Sequence, residues 1–568
     1  MEETMAKNII VIGGSAAGPK AAARARRLDQ NAEITIIQKD ADLSMASCGY
    51  PYYVGGFFDD RNKLLCTPTG VTRDPKFFLN AKGITAVTET EVTSIDRKKK
   101  RVDMRNLKTQ KTGHMPYDKL IIATGAVPRV PPVPGNDLNG ISTLQSMKDA
   151  DFLRHIRDEG RIKKAVIIGG GLIGIETCEA LELAGIEITV IELLPQLLTF
   201  LDMELAKLVE NHVKSKGAHV ITNNGLAEFI GKEGELTGVK LQNGTELPCE
   251  LAVVAIGVKP NVTLAQEAGL TIGETGGIQV DSNMRTSDAN IYAAGDCIEV
   301  NNLCRGGKTL APYGDLANLQ GRVAGSNAAG GDKMEFPGTQ HTGICKVFDF
   351  GAGSTGLSET AAKKAGLSDI ITVINASPDK PGFMDGKLLV SKMVADKRTG
   401  RLLGLQCIGP GDVSKQIATA AMAIRGKLTV SDLVNADLPY APPFSLAIDH
   451  FIAGAHIMEN KIAGLMDGIA AADVKEMADR GDDLFILDVR GADEYNAMRL
   501  GIGETLIPLG ALRARLHELP SDKQKLIICY CKISLRGYEA ASLIRANGWT
   551  NVNVMEGGIM AWPYPREQ

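Results

Sequence analysis

Residues 165–192 read AVIIGGGLIGIETCEALELAGIEITVIE. An apolar run (165–168) meets Gly169-Gly170-Gly171-Leu172-Ile173-Gly174, a helical pattern follows over 175–184, and a second apolar run (187–191) ends at Glu192. Short apolar runs bounded by glycine are what buried parallel strands look like. The turn between them lets backbone amides and a helix N-terminus face a pyrophosphate, so this is a complete GxGxxG in its strand–turn–helix setting. An acid at the end of the next strand is placed to accept from both ribose hydroxyls and repels a 2′-phosphate, which favours NADH over NADPH. The other reading of Glu192, a surface carboxylate, fits its strand-end position less well.

The same arrangement stands earlier in the chain. A strand over 7–12 leads into Gly13-Gly14-Ser15-Ala16-Ala17-Gly18, a helical pattern covers 20–28, and a strand over 33–37 ends at Gln38. Ser15 replaces one glycine of the motif, and Gln38 replaces the acid while keeping the ability to hydrogen-bond a ribose. A strand over 117–123 enters Ala123-Thr124-Gly125, echoed by 251–256 ending at Gly257. Residues 286–296 end in Gly295-Asp296, where a carboxylate can stand near the ribityl or phosphate groups of a flavin; taken alone the pair also fits an ordinary turn. A helix over 311–329 is expected to bring its N-terminus toward the flavin. Residues 128–134, rich in proline, read as a domain crossing. Residues 59–115 read as short strands and loops, with the basic run 97–101 as a solvated turn. Two fingerprints in one chain imply two nucleotide cofactors.

Between these motifs lies Ser44-Met45-Ala46-Ser47-Cys48-Gly49-Tyr50-Pro51-Tyr52. In this setting Cys48 reads as a redox thiol beside a flavin, its pKa lowered by the flavin and local amides. The alternative is a buried structural cysteine, because free Cys is among the most buried residue types. The chain has 568 residues, a formal net charge of -4 and ten cysteines. That length predicts three or four domains, and the charge gives no basic footprint for nucleic acid. No apolar run is long enough to span a bilayer, and the acidic start Met1-Glu2-Glu3 does not read as a signal peptide, so a cytoplasmic enzyme is expected. With no CxxC and no Cys/His group at zinc spacing, no metal is expected.

Residues 335–465 change character, with strands over 344–350, 387–395 and 402–408, helices over 414–425 and 444–455, and a stiff loop at Pro439-Tyr440-Ala441-Pro442-Pro443-Phe444. Packing and dimerisation are the expected role. A new domain begins after 464–468: a strand over 484–487, Asp488-Val489-Arg490, Glu494, and a strand over 525–530 that delivers Cys531 to a loop closed by Arg536 before a helix over 537–546. A cysteine there faces backbone amides, a helix dipole and an arginine, all of which stabilise a thiolate or persulfide anion. Cys529, inside the strand, suits a packing role better.

These residues carry a resemblance. The first ~465 residues resemble the pyridine nucleotide–disulfide oxidoreductases, most closely the single-cysteine branch of CoA-disulfide reductases, NADH oxidases and NADH peroxidases, through Ser44-x-x-x-Cys48-x-x-Pro51-Tyr52. The last ~100 resemble a rhodanese domain through Leu487-Asp488-Val489-Arg490, Glu494-Tyr495, the loop from Cys531 to Arg536, and Met555-Glu556-Gly557-Gly558-Ile559 with Trp562. The combination is similar to CoA-disulfide reductase–rhodanese proteins, which include NADH-dependent persulfide and polysulfide reductases. The implied fold is α/β: two Rossmann-like domains for FAD (1–145 with 262–332) and NAD(P)H (146–261), an α+β dimerisation domain (333–465) and a rhodanese domain (470–568). The resemblance further implies FAD, NADH (NADPH as the alternative) and coenzyme A; a sulfur donor and a small-molecule sulfur substrate; and a homodimer. Cofactor contacts fall on the motif residues above together with Lys39 and Val92. CoA contacts fall on Arg27, Ser44 and Ser47, and catalysis on Cys48, Tyr440, Cys531 and Arg536. Ala16 stands where the peroxidases carry histidine, which argues against peroxide. Phe444, a tyrosine-free 377–382 loop, Arg499 and Ser534 depart from the pattern. The competing readings are a CoA-disulfide reductase with an accessory rhodanese domain, an NADH oxidase, and a sulfurtransferase whose flavin half is a sensor.

Overall fold

The structure is a computed structural model that describes residues 6–331 and 333–568; the acidic start at Met1-Glu2-Glu3 lies outside the described residues. The chain divides into two compact units, residues 1–193 with 224–339, and residues 194–223 with 340–568.

The first unit is the duplicated nucleotide-binding arrangement. Strand Asn8–Ile12 pairs in parallel with Glu33–Ile37 and with Lys119–Ile122, Ile291–Ala293 adds beside the latter, and Thr85–Val87 extends the other edge. Ile9, Val11, Ile36, Leu120 and Ile121 are all fully buried, because both faces of this parallel sheet are covered, flap residues Ile95 and Val102 joining the same core, and no alternation is needed. The second copy repeats it: Lys164–Ile168 pairs with Glu187–Ile191 and Leu251–Val254, and Ile141–Ser142 joins the last. Each copy carries a three-stranded antiparallel flap, over Thr90–Asp96, Arg101–Asn106 and Thr112–Pro116 in one and Leu226–Lys232, Glu235–Leu241 and Glu246–Pro248 in the other. Leading into the proline-rich 128–134 stretch, Ala126–Pro128 pairs antiparallel with Val258–Pro260.

The second unit contains a five-stranded antiparallel sheet in the order Gly343–Val347, Phe350–Gly356, Leu402–Gly409, Leu388–Asp396, Ile370–Pro378, flanked by helices Val413–Arg425 and His450–Ile462. A parallel sheet follows, in the order Gly468–Ile469, Val552–Met555, Leu526–Tyr530, Leu484–Asp488, Thr505–Leu506. Helix Met203–Ser215 belongs to this unit. Its preceding residue Asp202, 2% exposed, accepts from Glu359 and Thr360 amides and from Gln406, beside Lys392 at 3.3 Å.

The α/β class is borne out, with corrections to individual elements. The helix expected over 444–455 is His450–Ile462. Asp449 caps it by accepting the Phe451 amide, and Ser445 and Lys415 bond the same carboxylate, which holds 444–449 as loop. Strands Phe350–Gly356 and Ile370–Pro378 and helix Pro75–Lys82 were not expected. Within the basic turn Arg97 is not free in solvent: it bonds Asp288 and the Ala268 and Gly269 carbonyls.

Candidate functional site

The two glycine turns are built alike. The Gly13 amide donates to Ile37 O (2.9 Å) and the Gly169 amide to Ile191 O (2.8 Å). In each turn the following amide bonds the residue at the strand end: Gly14 N to Gln38 Oε1 (2.8 Å), Gly170 N to Glu192 Oε2 (2.7 Å). Glutamine can thus replace the acid as the clamp on the turn. At Gly13, φ is +106° and a Cβ would lie 2.0 Å from Ala123 O, so only glycine fits. Helix Ala17–Leu28 starts within the first motif, after Ser15 and Ala16, and Leu172–Glu182 starts at the second; Ile173 and Gly174 form the first turn of the latter. A Cβ at Gly171, Gly125 or Gly257 would meet nothing within 4 Å, leaving open space beside the strand ends. Those turns, with Thr124 Oγ1 fixed on Asn261 O (2.7 Å), fit a dinucleotide cradle at each sheet. Asp296 follows Gly295, whose amide is held by the buried Gln320 (2.8 Å), and burial raises its carboxyl to about 6.

Cys48 sits at the first cradle. The Ser44 amide donates to Gly14 O (2.6 Å) with Ser44 at φ +51°, which ties the cysteine loop to the glycine turn. Cys48 is the middle residue of a 3-10 turn, Ser47–Gly49, that runs into the short helix Tyr50–Val54. It is exposed, as is Ser47, so the buried-cysteine alternative is set aside. Cys48 forms no disulfide, which leaves it a single thiol. Gly314, first residue of helix Gly314–Gly330, faces it: a Cβ there would lie 3.4 Å from Sγ. That helix end favours a thiolate. The chain's other groups act against it: the protein packed behind Cys48 withdraws water and pushes its thiol up, with Glu176, Asp296 and Asp315 adding to the rise. The expected lowering by local amides is therefore outweighed among the chain's own groups.

Glu176 is the residue the sequence did not single out. It lies on Leu172–Glu182, accepts from Tyr52 Oη at 3.2 Å, and burial raises its carboxyl to about 7. The available signal was a carboxylate one turn into the helix, the first of three with Glu179 and Glu182. The other expected contacts are more dispersed: Arg27 is exposed at the end of its helix, Lys39 is paired with Glu91 (2.8 Å), and Val92 packs against the core of the first sheet.

In the last domain Cys529 and Cys531 are equally buried, so position separates them. Cys529 is inside strand Leu526–Tyr530, opposite Leu487 and Val554; Cys531 follows the strand and precedes helix Leu535–Ala546. Arg536 is gripped by Glu494 through two bonds (2.7 and 2.8 Å), and these bonds, with Cys531 behind them, push its pKa above the ordinary guanidinium value. Glu494 is held down to about 2 by the same pair. Ser534 has φ +85°, a conformation that favours glycine, and bonds Met555 O (3.3 Å). Tyr440 and Phe444 are exposed on the dimerisation unit's proline-rich loop, 55% and 74%.

Comparison with known proteins agrees with this layout. The family model described as pyridine nucleotide-disulphide oxidoreductase matches residues 7–315, its dimerisation domain 342–452, and a rhodanese-like domain 470–563. An NAD(P)H coenzyme A polysulfide/persulfide reductase of Pyrococcus horikoshii is 36% identical over 81% of this chain and 100% of its own. The NAD-dependent persulfide reductase of A. fulgidus superposes with a TM-score of 0.93 at 42% identity, over 98% of this chain and 100% of the other. The Bacillus anthracis CoADR-RHD does so with a TM-score of 0.91 at 32% identity, over 98% of each chain. The chain belongs to the pyridine nucleotide–disulphide oxidoreductase family, with a rhodanese-like domain following its dimerisation domain.

Proposed function

We propose that the protein is a flavoprotein that reduces persulfide, polysulfide or CoA-linked sulfane sulfur with NADH through Cys48, while Cys531 delivers that sulfur as a persulfide. The observation that carries the reading is one exposed thiol at a dinucleotide cradle in the same chain as a second cysteine in a strand-to-helix loop beside Arg536. The activities named for the relatives support it. FAD, held by the Gly13 turn, Gln38, Thr124 and Asp296, supplies the two-electron couple between NADH and the thiol. NADH is assigned to the Gly169 turn and Glu192, and coenzyme A to Arg27, Ser44 and Ser47.

Cys48 does the bond-making. As thiolate it attacks a persulfide R–S–SH at the inner sulfur, forming Cys48–S–S–R and releasing HS⁻. Two electrons from NADH and one proton then cleave the new bond, restoring the Cys48 thiolate and releasing RSH. The sum is RSSH + NADH → RSH + HS⁻ + NAD⁺. Glu176, neutral below about pH 7, keeps one negative charge away from the thiol there. At the other site Arg536, fixed by Glu494, sets a positive charge at the Cys531 loop, where an anionic donor must approach. Among the described residues no helix is long and apolar enough to cross a membrane, and a cytoplasmic homodimer, with Tyr440 at the subunit contact, completes the reading.

The test compares NADH oxidation with CoA persulfide and with CoA disulfide. Faster turnover of the persulfide, together with loss of thiosulfate sulfurtransferase in Cys531→Ser, is expected. Preference for the disulfide, or oxygen consumption without any sulfur substrate, would favour the reductase or oxidase alternatives instead.

A further inference from the structure

The Cys531 loop is held from behind by the turn that follows strand Val552–Met555. The Ile559 amide donates to Cys531 O (2.9 Å) and the Met560 amide to Lys532 O (3.1 Å). Two consecutive glycines with φ of +71° and +57° make this possible, and a Cβ on Gly558 would lie 2.5 Å from Cys531 O. The residue just before them, Glu556, bonds outside its own sheet. Its Oε2 accepts the amide of Ile374 (2.9 Å), and its Oε1 accepts Lys461 Nζ (2.5 Å). Ile374 lies in the outermost strand of the dimerisation sheet, and Lys461 also donates to Thr372 O of that strand (2.9 Å). Glu556 is 3% exposed, so its charge is matched inside this contact rather than by water. Further along, Pro563 O accepts from Asn211 on helix Met203–Ser215 (2.8 Å). The only covalent link is residues 463–467, between helix His450–Ile462 and strand Gly468–Ile469.

A sheet edge offers unpaired amides that something must cover. Here a buried carboxylate covers one and takes an ammonium with it, and a pair of this kind holds only while both partners stay in place. Glu556 is two residues from Gly558, which packs on the Cys531 carbonyl, so the clasp and the turn that backs the reactive loop are one piece of backbone.

We infer that Glu556 is a positioning residue: it docks the rhodanese-like domain on the edge of the dimerisation sheet and so holds the Cys531 loop in one place for the hand-off of its sulfur to a small thiol carrier. This rests on the relay described above. In the hand-off a carrier thiolate RS⁻ attacks the outer sulfur of Cys531–S–SH, the S–S bond breaks, and RSSH and the Cys531 thiolate result.

The test uses the full-length, FAD-loaded protein with Glu556→Ala, Glu556→Gln and Lys461→Met. Three rates are measured: thiosulfate-to-cyanide sulfur transfer (Cys531 alone), NADH oxidation with polysulfide (Cys48 alone), and NADH oxidation driven by thiosulfate with CoA as carrier (both). Hydrogen exchange is followed at the Ile374 amide. In E556A the combined rate is expected to fall at least fivefold while the separate rates stay within twofold, and Ile374 exchange to speed up at least tenfold. E556Q and K461M should fall between. An unchanged combined rate, or sulfur transfer falling in parallel with it, overturns the proposal. A wild type with both separate rates but no combined rate would contradict the relay itself, and Ile374 exchange then decides the docking: no acceleration in E556A overturns it.

Discussion

Glu176→Gln is expected to stabilise the first unit, and more so as pH rises. In the folded protein burial raises the Glu176 carboxyl from 4.5 to about 7 against the partial relief of the Tyr52 bond. One pKa unit corresponds to 1.36 kcal/mol, so ionising Glu176 in the folded state costs about 3 kcal/mol more than in the unfolded chain. For an acid whose folded pKa is raised, the penalty is absent well below pH 4.5, grows as pH rises toward 7, and is complete above it. Glutamine is neutral throughout and keeps an oxygen for Tyr52. By linkage, the gain of E176Q over wild type is about 1 kcal/mol at pH 5 and about 3 kcal/mol at pH 8. For a unit of this size the difference is a thermal midpoint raised by roughly 5 °C more at pH 8 than at pH 5. The assay is thermal unfolding of the FAD-loaded protein without NADH at both pH values. Because Glu176 is among the groups that push the Cys48 thiol up, alkylation of Cys48 should also reach its half-maximum at lower pH in E176Q. An equal midpoint difference at pH 5 and pH 8 would refute the reasoning.

Other substitutions separate the remaining parts. Glu494→Gln removes the charge that holds Arg536 through two bonds, and sulfurtransferase activity should fall roughly tenfold, in line with ~1–2 kcal/mol for a partly exposed charge-assisted pair; an unchanged rate would show that Arg536 needs no anchor. Ser534→Gly relieves a left-handed φ while losing one long hydrogen bond, so the rhodanese-like domain should unfold at the same or a higher temperature, by up to about 1 kcal/mol; a clear loss of stability would mean the bond outweighs the strain. Glu192→Ala removes the strand-end carboxylate and should raise the ratio of NADPH to NADH turnover at least tenfold, read as kcat/KM for each nucleotide; an unchanged ratio would detach Glu192 from the ribose.

The central parallel strands were legible because each is mostly an apolar run: strands Glu33–Ile37 and Glu187–Ile191 stand where the sequence placed them, whereas the short edge strands Thr85–Val87 and Ile141–Ser142 were not singled out. Strand Phe350–Gly356 was not, since three of its seven residues are glycine and glycine reads as loop. The structure gives the reason for one of them: a Cβ at Gly353 would lie 2.8 Å from Ile417, so helix Val413–Arg425 packs directly on the strand backbone. Helix His450–Ile462 was placed too early because apolar residues from Phe444 onward mimic its period, and only the bonds of Asp449 to Ser445 and Lys415 show that those residues are loop. Among the candidate site residues, Cys48 and Cys531 could be singled out from their local motifs, and the structure sets them in an exposed 3-10 turn and a strand-to-helix loop. Glu176 was not, because its raised pKa comes from burial that its own helix does not reveal. Glu556 was visible as part of a glycine motif, but its partner Ile374 is 182 residues away, beyond any local pattern.

The central claim is that NADH electrons reach sulfane sulfur through Cys48. Rapid mixing of Cys48→Ser with NADH, then with CoA persulfide, tests it directly under anaerobic conditions. NADH is expected to bleach the flavin absorbance as in the wild type, and the persulfide is expected not to restore it. Recovery of the absorbance at the wild-type rate would contradict the claim.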